Sequence, residues 1–357
     1  MKILIIQQKM IGDVLTTSIL FEALKTEHPN AKLHYVVNKN TLAVVENNPF
    51  IDRFLIVTPE IESSKSAFLA FLKSIKKEKY DAVIDVYSKF SSNLMTKFSG
   101  AKVKISKYKW YTSYYYTHTF KEAKAPKTNA GLAIENRLQL LKPICDRIPE
   151  ILRPKIYLTS EEIERSKDFL TNSNIDLEKP LYIISVLGSG IAKTYPLAQM
   201  AKVIDAIVDE TNAQILFNYI PNQIDEAQTI YNFCKAETKN NIYFDVFGKS
   251  LRDFLAITYH CTALIGNEGG AVNMAKALDI ATFTIFSPWI QKEAWSMFED
   301  GNKHVSVHLR DFQPQLIEGK ATKALKAEQK PLYEMFSPDY FKDQLQKFLN
   351  KNIASIS

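Results

Sequence analysis

Short apolar runs alternate with amphipathic stretches along most of the chain. In its first part the runs are almost continuously apolar, as buried strands of a parallel sheet are, and they predict strands at 2–6, 33–37, 54–57, 82–86 and 103–105. Helical patterns lie between them, including 12–27 and 66–79. Strands that alternate with helices in this way indicate a parallel sheet covered by helices on both faces.

The same alternation returns in the second part of the chain. Strands are predicted at 181–187, 214–218, 242–244, 263–266 and 282–286. Between them, apolar residues from Leu197 to Val208 recur at helical spacing. Ser250, with Asp253 three residues later, is typical of a helix start. The pattern predicts an α/β protein of two doubly wound halves in tandem.

The predicted boundary between the halves lies where Pro143, Pro149 and Pro154 interrupt any regular element. We therefore expect one domain at 1–155 and a second at 156–335, which suits the size of the chain, 357 residues. The segment 336–357 carries an apolar face of Phe341, Leu345 and Phe348. It is expected to form a C-terminal helix that packs back toward the first domain.

Composition narrows the function only a little. The chain has 45 Lys and Arg against 39 Asp and Glu, a net charge of +6 that makes no strong case for a nucleic-acid binder and is compatible with an anionic ligand. The three cysteines are far apart, which argues against a disulfide framework or a zinc site and fits a reducing cytoplasm. No run of 18 apolar residues occurs, so we expect no helix that spans a bilayer.

The first candidate site is the turn after the first strand. In doubly wound folds, ligands bind beyond the carboxyl ends of the strands, where Gly12 and Asp13 are expected to lie. Gly12 permits close approach of a ligand to the backbone. The Asp13 carboxylate either caps the helix that follows or acts as a general base. A dinucleotide fingerprint of the GxGxxG type is absent.

The second candidate site lies between the first strand and first helix of the second half. Gly188, Ser189, Gly190 and Lys193 supply free backbone amides, a hydroxyl and a cation, which suit a phosphate group. The ending of a Walker A loop is missing. A glycine-rich turn with a solvated lysine is the alternative explanation.

A third candidate site follows the strand predicted at 263–266. Glu268 is followed by Gly269, Gly270 and Ala271, whose amides would point at an anion from the start of a helix. Two such helix starts at the carboxyl edge of one sheet would together grip a diphosphate.

These motifs occur in one order and at spacings that resemble glycosyltransferase family 9, the ADP-heptose:lipopolysaccharide heptosyltransferases and their relatives. The resemblance is carried by Gly12-Asp13, the strand end 85–89, Gly188-Ser189 with Lys193, and 266–270. It implies a GT-B fold, in which two Rossmann-like doubly wound domains face a central cleft. The N-terminal domain would bind the acceptor, through Gly12, Asp85 and Lys89, and the C-terminal domain the nucleotide sugar.

The resemblance also implies roles for single residues. Asp13 matches the catalytic aspartate of an inverting transfer that needs no metal, Lys193 matches the phosphate-binding lysine, and Ser189 a nearby hydroxyl. Family members typically read Asp-Thr-Gly and then His in the second diphosphate loop, whereas this chain has Glu268, Gly269 and Asn273. Since Asn273 can donate a hydrogen bond but carries no charge, the departure puts the donor in question and leaves ADP-heptose as the leading candidate.

The resulting hypothesis is a glycosyltransferase that moves a heptose from ADP-heptose onto a lipopolysaccharide-core-type acceptor. It would use no cofactor besides the nucleotide sugar, and its partners would be that donor and a lipid-linked glycan, without nucleic acid. We expect it in the cytoplasm, in peripheral contact with the inner face of the cell membrane. Two alternatives remain, a nucleotide-sugar epimerase or hydrolase on the same fold and a non-catalytic nucleotide-sugar-binding relative.

Two basic stretches have no assigned role. The segment 102–121 interleaves lysines with Trp110 and several tyrosines, which suits a sugar-phosphate acceptor, a membrane headgroup layer or single-stranded nucleic acid. Tyrosines that simply pack on the domain would explain it equally. The stretch 66–79 is an amphipathic basic helix that either rests on a bilayer or covers the sheet with a solvated outer side.

Overall fold

Two separate parallel sheets organise the protein. The structure, a computed structural model, describes residues 1–353. Its first unit comprises Met1–Tyr157 together with Glu293–Met297, and its second unit comprises Leu158–Lys292 and the chain from Phe298 onward. The predicted fold class, α/β with two Rossmann-like sheets, is confirmed.

The first unit is built on a six-stranded sheet in the order β3-β2-β1-β4-β5-β6, with every neighbouring pair parallel. This is the strand order of the Rossmann fold. The strands are β1 Lys2–Ile6, β2 Lys32–Asn38, β3 Arg53–Val57, β4 Ala82–Asp85, β5 Val103–Lys107 and β6 His118–Phe120. The helices are α1 Ile11–Thr17, α2 Ile19–Glu27, α3 Pro59–Ser63, α4 Lys65–Lys77, α5 Phe90–Phe98 and α6 Leu132–Leu138.

Helix α4 shows why the outer helices of this unit are amphipathic. Leu72 and Ile75 are buried in one core cluster with Leu4 and Val83 of the sheet, and Phe68 packs against the same cluster. The lysines of α4 lie on the opposite, exposed side. The apolar face of α4 is therefore used within the unit, as the outer-helix interpretation of 66–79 predicts.

The second unit is built on a five-stranded sheet in the order β11-β10-β9-β7-β8, again with parallel neighbours. Counted within the unit, this is the flavodoxin-like order 2-1-3-4-5. The strands are β7 Leu181–Ser185, β8 Gln214–Asn218, β9 Ala263–Asn267, β10 Ala281–Ile285 and β11 His304–Val307. The helices are α7 Ser160–Asn172, α8 Leu197–Thr211, α9 Ile224–Phe233, α10 Ala236–Lys239, α11 Leu251–Tyr259, α12 Gly270–Ala277, α13 Lys292–Trp295 at the junction of the two units, α14 Thr322–Ala327, α15 Gln329–Met335 and α16 Lys342–Ile353.

The final helix, α16, packs within the second unit. Leu345 and Phe348 are buried in the second core, and the Phe348 ring lies 5.5 Å from that of Phe283 on β10. Gln346 donates to Glu210 of α8. The sequence predicts that this apolar face packs toward the first domain. The structure fills it with side chains of the second core instead.

Four further elements differ from the sequence predictions: one helix, one predicted strand and two edge strands. The helix predicted at 12–27 is two helices separated at Ser18, whose hydroxyl donates to the Leu15 carbonyl. Residues 242–244 form no strand, because only Ile242 bridges to Ile215 of β8 before the chain turns away. The short edge strands β6 and β11 were not predicted, and both carry polar residues that blur the apolar pattern.

None of the helices over residues 1–353 is long and apolar enough to cross a membrane.

Candidate functional site

The candidate residues of the first unit follow β1 and β4, which are neighbours at the centre of the sheet. Ile6, at the end of β1, pairs with Asp85, at the end of β4. The strand order reverses direction at this pair, and crevices at such switch points are where doubly wound folds bind ligands. Gly12 and Asp13 lie in the first turn of α1, directly beyond the β1 edge.

Asp13 is held by an ion pair and does not cap its helix. The N-cap position of α1 is Met10, and Asp13 is the third residue of the helix. An Arg137 amino group donates to the Asp13 Oδ1 at 2.8 Å, and the Asp13 side chain keeps 38% of its surface exposed. The carboxylate is thus fixed on one side and open to solvent on the other, as a group that meets a substrate must be.

Arg137, which the sequence analysis did not single out, is the fixed side of this pair. It is buried, its Nε donates to the Thr17 hydroxyl at 2.9 Å, and one of its amino groups donates to the Ala133 carbonyl at 2.7 Å. These contacts lock the guanidinium between α1 and α6. Since 124 residues separate Arg137 from Asp13 in the chain, no local pattern signals the pair.

Asp85 has a different environment from the one expected for an acceptor-binding residue. Its side chain is completely buried and accepts from the Ser88 amide at 2.8 Å and the Tyr116 hydroxyl at 2.6 Å. Burial raises the pKa of Asp85 to about 6 against the opposing effect of the Tyr116 hydrogen bond. Asp85 has no exposed surface, and its bond from the Ser88 amide shapes the turn after β4.

Lys89 is exposed at the start of α5, where its backbone amide donates to the Ser92 hydroxyl. Its side chain is therefore available to a ligand in a way that the Asp85 side chain is not.

In the second unit, both predicted glycine loops follow adjacent central strands. The first loop comes after β7 and the second after β9, and β7 and β9 are the pair at which the strand order of this sheet reverses. The turns are tight. A Cβ at Gly188 would lie 2.3 Å from the Lys193 carbonyl oxygen, and one at Gly266, where φ is +129°, would lie 2.5 Å from the Ser185 oxygen. Only glycine fits at these two positions.

Asn267 joins the two loops. Its side-chain amide donates to the Ser185 carbonyl at 2.9 Å, and its Oδ1 accepts from the Tyr195 amide at 2.7 Å. Asn267 is completely buried, so these bonds are shielded from water. The Ala192 carbonyl accepts a further bond from the Trp289 indole at 2.8 Å. The loop that carries Lys193 is therefore held at both ends of its short turn.

The two loops meet at an ion pair. The Lys193 ammonium lies 3.0 Å from the Glu268 Oε1, and the Glu268 side chain is 9% exposed while that of Lys193 is 31% exposed. The Lys193 ammonium also lies 5.8 Å from the centroid of the Trp289 ring. The ammonium of Lys326, a residue of α14, lies 5.1 Å from the same centroid. Two cations therefore flank one indole beside the loops, a feature that the sequence pattern did not predict.

The glycine residues of the loops border open space. A Cβ built at Gly190, Gly269 or Gly270 would meet no other heavy atom within 4 Å, beyond its chain neighbours. Gly270 and Ala271 are the first residues of α12, so their amides have no partner within the helix. Ser189 is exposed on the first loop, and Asn273 is half-buried one turn into α12. Amides, a hydroxyl and a lysine thus lie on two neighbouring loops that border open space, an arrangement suited to an anion.

Metal ligands do not gather at these loops. Over residues 1–353 the structure contains no group of three or more His, Cys, Asp or Glu side chains placed to hold a metal ion.

Comparison with known proteins identifies this architecture. The family model for glycosyltransferase family 9 (heptosyltransferase) matches residues 68–323, well over half of the chain. The lipopolysaccharide heptosyltransferase 1 of Campylobacter coli is 23% identical over 299 residues, which cover 80% of this chain and 84% of that protein.

Solved structures show the same fold. A family 9 glycosyltransferase from Veillonella parvula superimposes with a TM-score of 0.77 at 15% identity, over 99% of this chain and 97% of the other. The ADP-heptose lipopolysaccharide heptosyltransferase II of Escherichia coli gives a TM-score of 0.67 at 16% identity, over 94% and 99% of the two chains.

Two Rossmann-like sheets, each with candidate residues at its switch point, are the architecture of the GT-B fold. The chain belongs to glycosyltransferase family 9, the heptosyltransferase family, as the motif order predicts.

Proposed function

We propose that this protein transfers a heptosyl group from ADP-heptose to a lipopolysaccharide-core-type acceptor, with inversion at the anomeric carbon and Asp13 as the general base. The observation that carries the proposal is the pairing of two anion-suited loops around Lys193 at the switch point of the second sheet. Membership of the heptosyltransferase family supports the sugar, and the name of the E. coli neighbour supports the donor and the acceptor class.

The acceptor side of the proposal rests on Asp13. An acceptor hydroxyl is a weak nucleophile, and a carboxylate within hydrogen-bond reach takes its proton while the new bond to the anomeric carbon forms. The exposed side of Asp13 is available for this step, while Arg137 fixes the other side. Gly12, beside it, carries no side chain that would crowd the acceptor. Lys89 is the proposed contact for an anionic group on the acceptor.

The donor side of the proposal rests on the second unit. As the bond between the anomeric carbon and the diphosphate breaks, negative charge grows on the departing ADP. Lys193, the Ser189 hydroxyl and the amides of Gly190, Gly269, Gly270 and Ala271 are the proposed donors to that charge, with Gly188 shaping the turn. Groups held in place before the reaction stabilise such charge at little reorganisation cost, and removal of a single such donor typically costs roughly 3–4 kcal/mol. These groups make a metal ion unnecessary in the proposed reaction.

Two residues of the second glycine loop and the helix after it, Glu268 and Asn273, differ from the residues that the family typically has there. Glu268 holds the Lys193 ammonium at the mouth of the loops before a diphosphate arrives. Asn273 is proposed to donate from its amide toward the phosphate, a weaker contact than a charged histidine would provide. The proposed setting is the cytoplasmic face of the membrane that carries the lipid-linked acceptor.

The test combines binding with turnover. The melting temperature of the purified protein is measured with ADP-, UDP-, GDP- and CDP-linked sugars, because a ligand at about 100 times its Kd adds about 2.7 kcal/mol to the free energy of unfolding. Proton NMR of the product from ADP-heptose and a lipopolysaccharide-core acceptor then reports the anomeric configuration. We expect the largest shift with ADP-heptose and an inverted product.

The other outcomes identify the alternatives. Release or epimerisation of the sugar without an acceptor would indicate an epimerase or hydrolase. Binding with no turnover on any acceptor would indicate a non-catalytic relative.

A further inference from the structure

The segment 101–130 accounts for the net charge of the whole protein. Seven of the 45 basic residues lie in it, all lysines, and only one of the 39 acidic residues, Glu122. Outside the segment, 38 basic and 38 acidic residues balance. The +6 excess is therefore concentrated in fewer than a tenth of the residues, around β5 and the edge strand β6.

The loop between β5 and β6 is firmly anchored to the first unit. The Lys109 ammonium donates to the Ser88 carbonyl at 2.6 Å, and the hydroxyl of half-buried Tyr116 donates to the buried Asp85. At its two ends the backbone continues the sheet pairing: the Tyr108 amide donates to the Phe120 carbonyl at 2.7 Å, and the Thr117 amide donates to the Lys104 carbonyl at 2.8 Å. These contacts fix the loop and use the Tyr116 ring as an anchor.

Three other rings of the same loop are exposed to solvent. Trp110 is 79% exposed and Tyr114 is 74% exposed, and Tyr111 is exposed beside them. Phe90, at the start of the neighbouring helix α5, is 75% exposed. A fixed loop that displays large rings to water is a sign of an interaction surface.

The chemistry of this surface matches an anionic bilayer. Trp and Tyr rings favour the boundary between headgroups and acyl chains, and lysines beside them are attracted to anionic headgroups. Single-stranded nucleic acid stacks successive bases on separate aromatic rings along a groove. Here the rings form two contacting pairs, Trp110 edge-on to Tyr111 at 5.6 Å and Tyr114 tilted against Tyr115 at 4.2 Å between centroids, which favours a compact interfacial cluster over a row of stacking sites.

We propose that the β5–β6 loop and its flanking lysines form a membrane-docking surface for anionic lipid. The amphipathic helix α4 offers no equal alternative, because its apolar face is buried in the core. The biological role of this surface rests on the proposed function, in which the acceptor is lipid-linked. Binding of the surface to lipid requires neither the donor nor sugar transfer.

The test measures co-sedimentation of the full chain with phosphatidylcholine vesicles and with vesicles in which about 30% of the lipid is anionic phosphatidylglycerol. The charge variant replaces the exposed Lys102, Lys121 and Lys124 by Gln. Its matched control replaces the exposed Lys73, Lys76 and Lys77 of α4 by Gln, which removes the same charge elsewhere. Since a lysine near an anionic surface contributes about 1 kcal/mol, we expect about 100-fold weaker partitioning for the first variant and a much smaller change for the control.

A second measurement needs no charge variant. Brominated lipids should quench Trp110 fluorescence in the native chain, and Trp110→Phe should abolish that quenching while Trp289 and Trp295 remain. Absence of binding to anionic vesicles, equal loss in the two lysine variants, or preference for an oligonucleotide over vesicles would overturn the proposal.

The outcome is separable from that of the proposed function. If the surface binds lipid as proposed, the triple-lysine variant should still transfer sugar to a deacylated acceptor at the native rate. If the triple-lysine variant loses lipid binding but keeps transfer, the docking surface is supported and the proposed chemistry is unaffected. If the native protein binds lipid but transfers no sugar, the proposed function is wrong and the docking surface is still supported.

Discussion

The carboxylate of the first unit and the lysine of the second are held in opposite ways. Asp13 owes its position to Arg137, a buried residue from a distant helix. Lys193 owes its position to its own short loop and to the neighbouring loop, through Glu268 and Asn267. Asp13 is thus fixed by the packing of two helices, and Lys193 by two glycine turns that lie side by side at the edge of one sheet.

This difference explains which parts of the site were visible in the sequence. The loops 187–196 and 265–275 can be recognised in the sequence by their glycines, because a tight turn at a sheet edge restricts which residue types fit there. The contact between Arg137 and Asp13 depends on how α6 packs on α1, which no local spacing encodes. Alternating strands and helices likewise predicted both sheets.

Two residues that the motif order assigns to the same acceptor site differ in their exposure to solvent. Asp85 and Lys89 lie within one short stretch, yet Asp85 is completely buried and Lys89 is exposed. The polar pattern shows where a strand ends but not which side chain turns inward. The edge strands β6 and β11 were missed for a related reason, since edge positions tolerate polar residues.

The largest effect is expected for Asp13→Asn. The amide has nearly the same shape but cannot accept a proton from the acceptor, so kcat should fall about 10²–10⁴-fold. Steady-state transfer from ADP-heptose measures this change. An unchanged kcat would remove Asp13 from the mechanism.

Lys193→Ala should reduce transfer about 10²–10³-fold, because it removes one donor to the charge on the departing diphosphate. It also leaves the nearly buried Glu268 without its counter-charge. The double variant Lys193→Ala/Glu268→Gln is the matched control. It should recover thermal stability but not transfer, and recovery of both would assign Lys193 a structural role alone.

Arg137→Ala should lower kcat about 100-fold with little change in ADP affinity, since a misplaced base slows only the chemical step. Added guanidinium ion should restore part of the rate by filling the vacated space. Thr17→Val, which removes the acceptor of the Arg137 Nε, should have a smaller effect in the same assay. Failure of rescue combined with a lower melting temperature would show that Arg137 serves stability only.

The smallest effect on activity is expected for Asp85→Asn, which changes the pH dependence of stability. Because burial raises the pKa of Asp85 to about 6, the folded state retains its proton where the unfolded chain has lost it. The contribution of Asp85 is therefore fully present below pH 4 and is lost as the pH rises through 6. Against Asp85→Asn, the native protein should lose on the order of 3 kcal/mol of its free energy of unfolding between about pH 3 and pH 7.

Denaturant unfolding at a series of pH values measures that difference. A difference that stays constant with pH would contradict the raised pKa of Asp85.

The central claim is that the second unit binds the nucleotide through Lys193 while Asp13 of the first unit acts only in the chemical step. It is tested most directly by the ADP affinities of Asp13→Asn and Lys193→Ala, measured side by side by calorimetry. We predict that Asp13→Asn binds ADP as the native protein does and that Lys193→Ala binds it at least about 10-fold more weakly, the equivalent of one charge-assisted contact. Equal loss of ADP affinity in both variants, or unchanged affinity in Lys193→Ala, would contradict the account.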